Sequence, residues 1–378
     1  MKVIHVITGL KRGGAETALF RLVSQSNNYK DITNTIISIQ DEGVFGSKFK
    51  KIGVEVISLN MKSGLLFPLT IYKLIKFFLK INPDIVQSWM YHADLLAGIA
   101  AFFTKKKIYW GIVNFNLDTS VIKYSTKFII KLCSFFSYFI PEKIISCSEN
   151  AIYAHTDVGY CRDKFKTIPL GIDINDFYKN DFKRNFFRNK WGIKKNDTVL
   201  GYVARWDPVK DHDNLFGALN ILVKNKLNFK CVLIGPNVDE NNIELHKLIQ
   251  NKYNIQNKII LPGPLEDIQG AMSALDIHVL SSAGEAFPNV VAEAMACEIP
   301  CVVTDVGDAS KIVGNTGWIV QPRNIKELSK ALISAIKETK ITYLWEKRSK
   351  NCRERIKQNF TLEKMIGSYH IAWNIYKK

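Results

Sequence analysis

Acidic residues are scarce in this chain. Thirty-five Asp and Glu stand against 52 Lys and Arg over 378 residues, a formal net charge of +17. An imbalance of that sign fits three kinds of partner: nucleic acid, an anionic membrane surface, or phosphorylated substrates. No nucleic-acid recognition motif accompanies the charge, so nucleic acid is not expected. No uninterrupted apolar run reaches the roughly 18 residues that a membrane-spanning helix needs. The opening MKVIHVITGLKRGG has an apolar stretch of only Val3 to Ile7 and no cleavage site after it, so it does not read as a signal peptide. The seven cysteines are odd in number and contain no CxxC pair. Neither a disulfide framework nor a cysteine zinc site is indicated, and a reducing cytosol is expected. Fixed short repeats and low-complexity tracts are missing too. What is there is ordinary globular composition, 47% hydrophobic and 23% charged, in a chain longer than one core usually serves. Two domains are the first expectation.

Strand-like and helix-like periodicities alternate along the chain. Lys2 to Thr8 reads as a strand, then a glycine loop, then a helix over Ala15 to Val23. Strands follow at Asn34–Ile39, Val54–Leu59 and Asp84–Ser88, with helices over Gly46–Ile52 and Leu69–Lys80 between them. A second series begins at Thr198–Val203 and continues with strands at Phe229–Ile234, Ile259–Leu261, Asp276–Leu280 and Pro300–Thr304. Its helices read as Asp213–Asn225, Ile268–Ala274, Pro288–Cys297 and Ile325–Glu338. This predicts an α/β chain of two doubly wound Rossmann-like domains facing a central cleft, with ligand chemistry in the loops after strands. The expected divisions are residues 1–178, 179–360 and a C-terminal helix at 361–378 packing back toward the first domain. The polar, basic and aromatic stretch Asn175–Lys195 reads as the linker.

Four clusters could carry chemistry. The first is Gly284-Glu285-Ala286-Phe287-Pro288-Asn289-Val290-Val291-Ala292-Glu293, between a strand and a helix. Pro288 suits a first helical turn, where the neighbouring backbone N–H groups, those of Ala286, Phe287, Asn289 and Val290, can meet a phosphate. Glu285 and Glu293 are acceptors for a donor sugar and a ribose diol; the plainer reading is acidic residues complementing a helix dipole. The second is Arg205-Trp206-Asp207-Pro208-Val209-Lys210, a turn with two cations able to hold a diphosphate, or two solvated surface cations. The third is Gly13-Gly14-Ala15-Glu16 after the first strand, which by itself reads equally as turn chemistry. The fourth is Gln87 to Asp94, where His92 and Asp94 would line the cleft wall or His92 would simply start a helix. Gly235-Pro236 and Gly263-Pro264-Leu265-Glu266 end strands of the second series.

The first cluster resembles the Glu-x7-Glu signature of retaining glycosyltransferases of family 4, which have the GT-B fold. Ala294 to Gly307 and Gly314 to Val320 resemble the same family, and Gln87 to Asp94 resembles a subgroup from surface-polysaccharide gene clusters. The resemblance implies that Arg205 and Lys210 stabilise a departing nucleoside diphosphate in place of a metal ion. It implies that Gly13 and Gly14 face the donor phosphates, that Glu16, His92 and Asp94 face the acceptor, and that Gly235 and Leu265 lie toward the nucleotide. Three positions depart from the family pattern. Val113-Asn114-Phe115-Asn116 lacks a histidine that touches the donor sugar in many relatives, so Asn114 could bond a hydroxyl but do no acid–base work. Pro169-Leu170 stands where Asn commonly precedes Gly171, and Glu298 stands where Gly is usual.

Two stretches carry lysines and no acid. Lys62, Lys73, Lys76 and Lys80 interleave with Leu65, Leu66, Phe67 and other apolar residues. Lys123, Lys127 and Lys131 mark one stripe of a helix within Val121 to Ile140 that also holds Phe128, Phe135, Tyr138 and Phe139. Basic amphipathic helices of this kind suit an anionic bilayer surface, and the plainer reading is a buried helix with a solvated lysine face. The expected activity is a retaining, metal-independent hexosyl or N-acetylhexosaminyl transfer. The donor would be a nucleotide sugar, a UDP-sugar, and the acceptor a polyprenyl-diphosphate-linked saccharide at the inner face of the cytoplasmic membrane, for O-antigen, capsule or a related glycan. No cofactor is expected. A sugar-nucleotide epimerase and a non-catalytic sugar-nucleotide-binding subunit are the alternatives.

Overall fold

Val3 to Ile7, Ile36, Ile37, Ile85 and Val86 are all but completely buried, as strands covered on both faces by helices must be. They belong to a seven-stranded parallel sheet in a computed structural model that describes residues 1–378 except 12, 27–30, 62–66, 115–116, 118–122 and 376–378. Its strands are β1 (Lys2–Ile7), β2 (Thr33–Ser38), β3 (Glu55–Ser58), β4 (Ile85–Trp89), β5 (Ile108–Ile112), β6 (Lys143–Ser146) and β7 (Phe165–Thr167), in the order β3-β2-β1-β4-β5-β6-β7. The helices are α1 (Gly14–Ser26), α2 (Gly43–Lys51), α3 (Phe67–Ile81), α4 (Tyr91–Thr104), α5 (Tyr124–Phe136) and α6 (Glu149–Asp157). One core gathers Leu74 and Phe78 of α3, Leu96 and Ala100 of α4 and Ile129 and Ile130 of α5 around β1, β4 and β5.

The second sheet holds six parallel strands in the order β10-β9-β8-β11-β12-β13. After α7 (Asp181–Lys190) come β8 (Thr198–Val203), α8 (His212–Lys224), β9 (Phe229–Ile234), α9 (Ile243–His246), β10 (Ile259–Gly263), α10 (Ile268–Ser273), β11 (Ile277–Leu280) and α11 (Asn289–Ala296). They are followed by β12 (Cys301–Thr304), α12 (Ala309–Val313), β13 (Trp318–Val320), α13 (Ile325–Glu338) and α14 (Thr342–Asn359). Counted from β8 the strand order is 3-2-1-4-5-6, the doubly wound dinucleotide-binding order, and the connections reverse direction between β8 and β11.

The chain divides into two compact units, residues 1–171 with 362–378, and residues 172–361. The divisions therefore lie at 171/172 and 361/362, and the first is seven residues before the expected 178/179. Ile172 already belongs to the second unit: its N–H bonds Phe360 O at 2.9 Å and it bridges Thr361. The stretch expected as a linker contains α7. Asn180 caps it by accepting from Lys183 N at 3.0 Å, Phe187 is buried, and Arg184 and Arg188 reach carbonyls of Ser273, Ala274 and Leu275. α14 escapes a periodicity search because only Cys352 and Ile356 of its 18 residues are buried. The terminal helix α15 (Leu362–Ala372) packs on α1 within the first unit. Its end is fixed by Trp373 Nε1 donating to Gln87 Oε1 at 3.1 Å.

Candidate active site

At the β8/β11 switch point two loops meet. After β8 the chain turns at Asp207-Pro208, where Asp207 Oδ1 accepts from Val209 N at 3.0 Å and closes a short 3-10 turn over Pro208–Lys210. Asp207 Oδ2 takes Arg205 Nε at 3.0 Å and Nη2 at 2.8 Å, while the Arg205 side chain stays 60% exposed. Burial pushes the Asp207 carboxyl up, but the Val209 N–H and Arg205 outweigh it and hold it below the ordinary range. After β11 the chain runs through Ser281 to Pro288 before α11 starts at Asn289. Pro288, expected inside the first turn, is the residue that precedes the helix.

Lys210 and Glu285, 75 residues apart, meet across this junction with Lys210 Nζ to Glu285 Oε1 at 2.5 Å, their side chains 15% and 13% exposed. The same Oε1 accepts from Ser282 Oγ at 2.7 Å. Further bonds stitch the loops together. Tyr202 OH donates to Lys210 O, Ser281 Oγ to Lys210 O and Asp211 O at 3.2 and 3.1 Å, and Ala283 N to Val209 O at 2.8 Å. Gly307, at φ +56°, comes so close behind the loop that a Cβ there would stand 2.3 Å from Ala286 O. Ala286, Phe287 and Pro288 are buried, Asn289 and Val290 half-buried, and Glu293 lies on the inner side of α11 at 8% exposure. His212 lies against Trp206, ring centroids 4.5 Å apart and planes tilted by 45°, and burial together with the Lys210 charge lowers its pKa to about 4, so it is a neutral ring. Gly235 sits beside the same junction, since a Cβ there would meet Ala204 O at 2.1 Å, and its N–H reaches Gly263 O at 3.3 Å. Leu265 is half-buried in the loop after β10.

The candidates of the first unit follow three neighbouring strands: Gly13, Gly14 and Glu16 come after β1, His92 and Asp94 stand in the first turn of α4 after β4, and Asn114 comes after β5. Gly13 and Gly14 are exposed, and a Cβ on Gly13 would collide with Glu16 Oε2 at 2.3 Å. Partial burial raises the Glu16 pKa and lowers that of His92. Asp94 is not at a surface. It is fully buried, accepts from Ser88 Oγ at 2.6 Å, and its pKa rises to about 7 because burial outweighs the Ser88 and Gly111 bonds. The expected acceptor contact is therefore withdrawn for Asp94: the first turn of α4 faces its carboxylate into the core. Asn114 bonds the Tyr91 hydroxyl, which also meets His155 Nε2 at 2.9 Å. Phe115 and Asn116 lie outside the described residues.

A recess of about 640 Å³ opens at the opposite, amino-terminal ends of β8 and β11, among Arg184, Arg188, Asp197, Asp276 and Glu298. It is far from the switch-point loops and its arginines are spoken for. Asp276 takes Arg184 at 2.5 Å and Arg188 at 3.3 Å, and both guanidinium groups also bond carbonyls at the end of α10. This end of the sheet fastens α7; the chemistry belongs at the other.

The family model described as "Glycosyl transferases group 1" matches residues 183–359. Those residues are a glycosyl transferases group 1 domain. It contains the whole β8/β11 junction, and the chain is a glycosyltransferase. Among similar curated proteins is the capsular polysaccharide biosynthesis glycosyltransferase CapM of Staphylococcus aureus, 26% identical over 82% of this chain and 81% of that one. Another is the UDP-Gal:alpha-D-GlcNAc-diphosphoundecaprenol alpha-1,3-galactosyltransferase of Escherichia coli, 24% identical over 79% of this chain and 76% of that one. Among solved structures, Anabaena HepE in complex with UDP-glucose superimposes with a TM-score of 0.83 at 21% identity, covering 100% of both chains. The fold is GT-B.

The sequence singled out Arg205, Lys210 and Glu285 but not the hydroxyls of Tyr202 and Ser281, which bond the Lys210 carbonyl, or of Ser282, which bonds Glu285. A serine at a strand end carries no local signal of a partner, and only the adjacency of β8, β11 and β12 supplies one.

Proposed function

We propose that the chain transfers a hexosyl or N-acetylhexosaminyl group from a UDP-sugar to a polyprenyl-diphosphate-linked saccharide. The product would be an O-antigen, capsule or related surface glycan. The observation that carries this reading is the junction of Arg205, Lys210 and Glu285 at the switch point of a group 1 domain. In this reading Arg205 and Lys210, with backbone N–H groups at the start of α11, stabilise the negative charge of the departing diphosphate and do so without a metal ion. Glu285 receives sugar hydroxyls and Glu293 the ribose diol. The acceptor oxygen forms its bond to the anomeric carbon on the face the diphosphate leaves, so configuration is retained. On that face the departing phosphate oxygen is the base nearest to hand, and it takes the acceptor proton. Gly13 and Gly14 are assigned to donor binding, and Glu16, His92 and Asn114 to acceptor binding. Gly235 and Leu265 are assigned to the nucleotide. The lipid-linked acceptor and the UDP donor are supported by the name of the Escherichia coli relative, and the donor also by the ligand of HepE.

The same reading places the enzyme on an anionic membrane, at the cytoplasmic side. Among the described residues no helix is long and apolar enough to cross a membrane. Instead, α3, α4 and α5 pack side by side and leave Tyr72, Leu79, Phe102, Phe103, Phe128, Phe135 and Phe139 more than half exposed. Lys73, Lys76, Lys80, Lys127 and Lys131 lie among them on α3 and α5, which contain no acid. Lys62, Leu65, Leu66 and Val121 lie outside the described residues.

The test is transfer from UDP-sugars to a synthetic polyprenyl-diphosphate saccharide, with and without EDTA. Arg205→Ala and Lys210→Ala should each cut transfer by about tenfold to a thousandfold, and EDTA should not. Near-normal turnover in both variants sinks the assignment, strict metal dependence sinks the electrostatic mechanism, and donor epimerisation without acceptor supports an epimerase instead.

A further inference from the structure

The proposed function makes two demands on the Lys210–Glu285 pair, one from the diphosphate and one from the sugar. Lys210 is already engaged: its ammonium lies 2.5 Å from Glu285 Oε1. Phosphate oxygens that draw Lys210 toward them weaken its hold on Glu285. That would leave a carboxylate only 13% exposed without its cation, and an unpaired charge in such a place costs several kcal/mol unless other donors hold it. One donor is already built in. Ser282 is fully buried and its Oγ donates to the same Oε1 at 2.7 Å.

The serine is itself held from three sides. Its carbonyl accepts from Thr304 Oγ1 of β12 at 2.7 Å, and Thr304 also reaches Leu280 O at 3.3 Å. The residue before it, Ser281, bonds the backbone of Lys210 and Asp211, and the residue after it, Ala283, donates to Val209 O at 2.8 Å. So the hydroxyl stays with Glu285 because the backbone carrying it is tied to the loop after β8 and to β12. Ser282 does not reach outward. It has no route to the diphosphate, only to the carboxylate.

We propose that Ser282 is a positioning residue, which fixes the Glu285 carboxylate for the donor sugar when Lys210 turns to the diphosphate. The inference rests on the reading of Lys210 and Glu285 given above. Its consequence is specific: Ser282 contributes to binding of the sugar moiety and not to binding of the nucleotide. With Lys210 and Ser282 both on Oε1, the second oxygen of Glu285 is the one presented to sugar hydroxyls, and the serine sets its direction.

The experiment compares calorimetric affinities for UDP and for a panel of UDP-glucose, UDP-galactose and their 2-acetamido counterparts. Wild type, Ser282→Ala and Ser282→Thr are measured, each with its thermal midpoint. In Ser282→Ala, UDP affinity should match wild type, while the extra affinity for the preferred UDP-sugar falls by roughly tenfold to a hundredfold, the worth of one hydrogen bond to a charged group. Donor KM should rise accordingly. Ser282→Thr, which keeps the hydroxyl, should recover most of the loss. Equal weakening of UDP and UDP-sugar in Ser282→Ala overturns the proposal, because it signals general loosening of the loop. So does an unchanged UDP-sugar affinity, or a Ser282→Thr variant as weak as Ser282→Ala at the wild-type thermal midpoint. A wild type that binds neither UDP nor any sugar of the panel overturns the underlying assignment of the site instead.

Discussion

At the scale of single residues, the second unit keeps a histidine in a place that has no use for its charge. His278 on β11 is fully buried, neither ring nitrogen has a partner among the described residues, and burial lowers its pKa to about 3. The unfolded chain takes up a proton near pH 6.5 that the folded chain refuses until about pH 3, so stability is lost as pH falls across that window. His278→Leu removes the refusal without removing a bond. Relative to wild type it should change little at pH 7 and be more stable by about 2 kcal/mol at pH 5, read from urea unfolding at both pH values. Equal differences at the two pH values would contradict the buried neutral ring. Gly307 makes the converse point. Its φ of +56° and its closeness to Ala286 O leave no room for a side chain, so Gly307→Ala should cost about 2 to 4 kcal/mol and drag the Glu285 loop with it. An unchanged thermal midpoint in that variant would show the loop to be looser than this. The sequence marked Glu285 through its neighbours, because the whole run from Gly284 to Glu293 is contiguous. It left Ser282 unmarked, because the worth of that hydroxyl is a contact and not a pattern.

At the scale of elements, α7 shows how a polar stretch becomes structure. Its amphipathicity is built from arginines that reach the sheet rather than from an apolar stripe, so hydrophobic periodicity passed over it. Arg184 and Arg188 converge on Asp276, whose Oδ2 also accepts from Val199 N at 2.7 Å, and Arg188 Nη2 donates to Asp197 O at 2.8 Å. Two guanidinium groups at 28% and 12% exposure then depend on one carboxylate. Asp276→Ala strands both and should lower stability by about 3 kcal/mol, with the denaturant midpoint as readout. Transfer activity well below the melting range should stay near wild type, because the cluster sits at the far end of the strands from Lys210 and Glu285. Loss of activity without loss of stability would move the site. Strand positions were easier to read than helix ends. Buried parallel strands are short continuous apolar runs such as VIHVI and CVLI, whereas helix starts such as Gly43 and Asn289 depend on caps and turns that tertiary contacts settle.

At the scale of the whole molecule, the +17 charge divides by location. Arg205 and Lys210 stand at the proposed diphosphate site, Arg184 and Arg188 fasten a helix, and the lysines of α3 and α5 stand among exposed aromatic side chains. The protein should float with vesicles containing anionic lipid and not with neutral ones, and salt should weaken the binding. Lys127→Glu with Lys131→Glu should weaken flotation several-fold, and Phe128→Ser with Phe139→Ser should do the same without changing UDP affinity. Flotation indifferent to all four changes would return that face to plain solvated surface. By itself the sequence determined the α/β alternation, the doubly wound class and the loops that follow β8 and β11. Those are local properties, set by apolar periodicity, by glycine and proline at turns, and by a contiguous motif. Tertiary structure alone decided that Lys210 meets Glu285, that Asp94 is buried and that Arg184 and Arg188 converge on Asp276. Each of these is a contact between segments far apart in the chain, fixed by strand order and by which face of a helix the core takes, and local sequence carries no record of either.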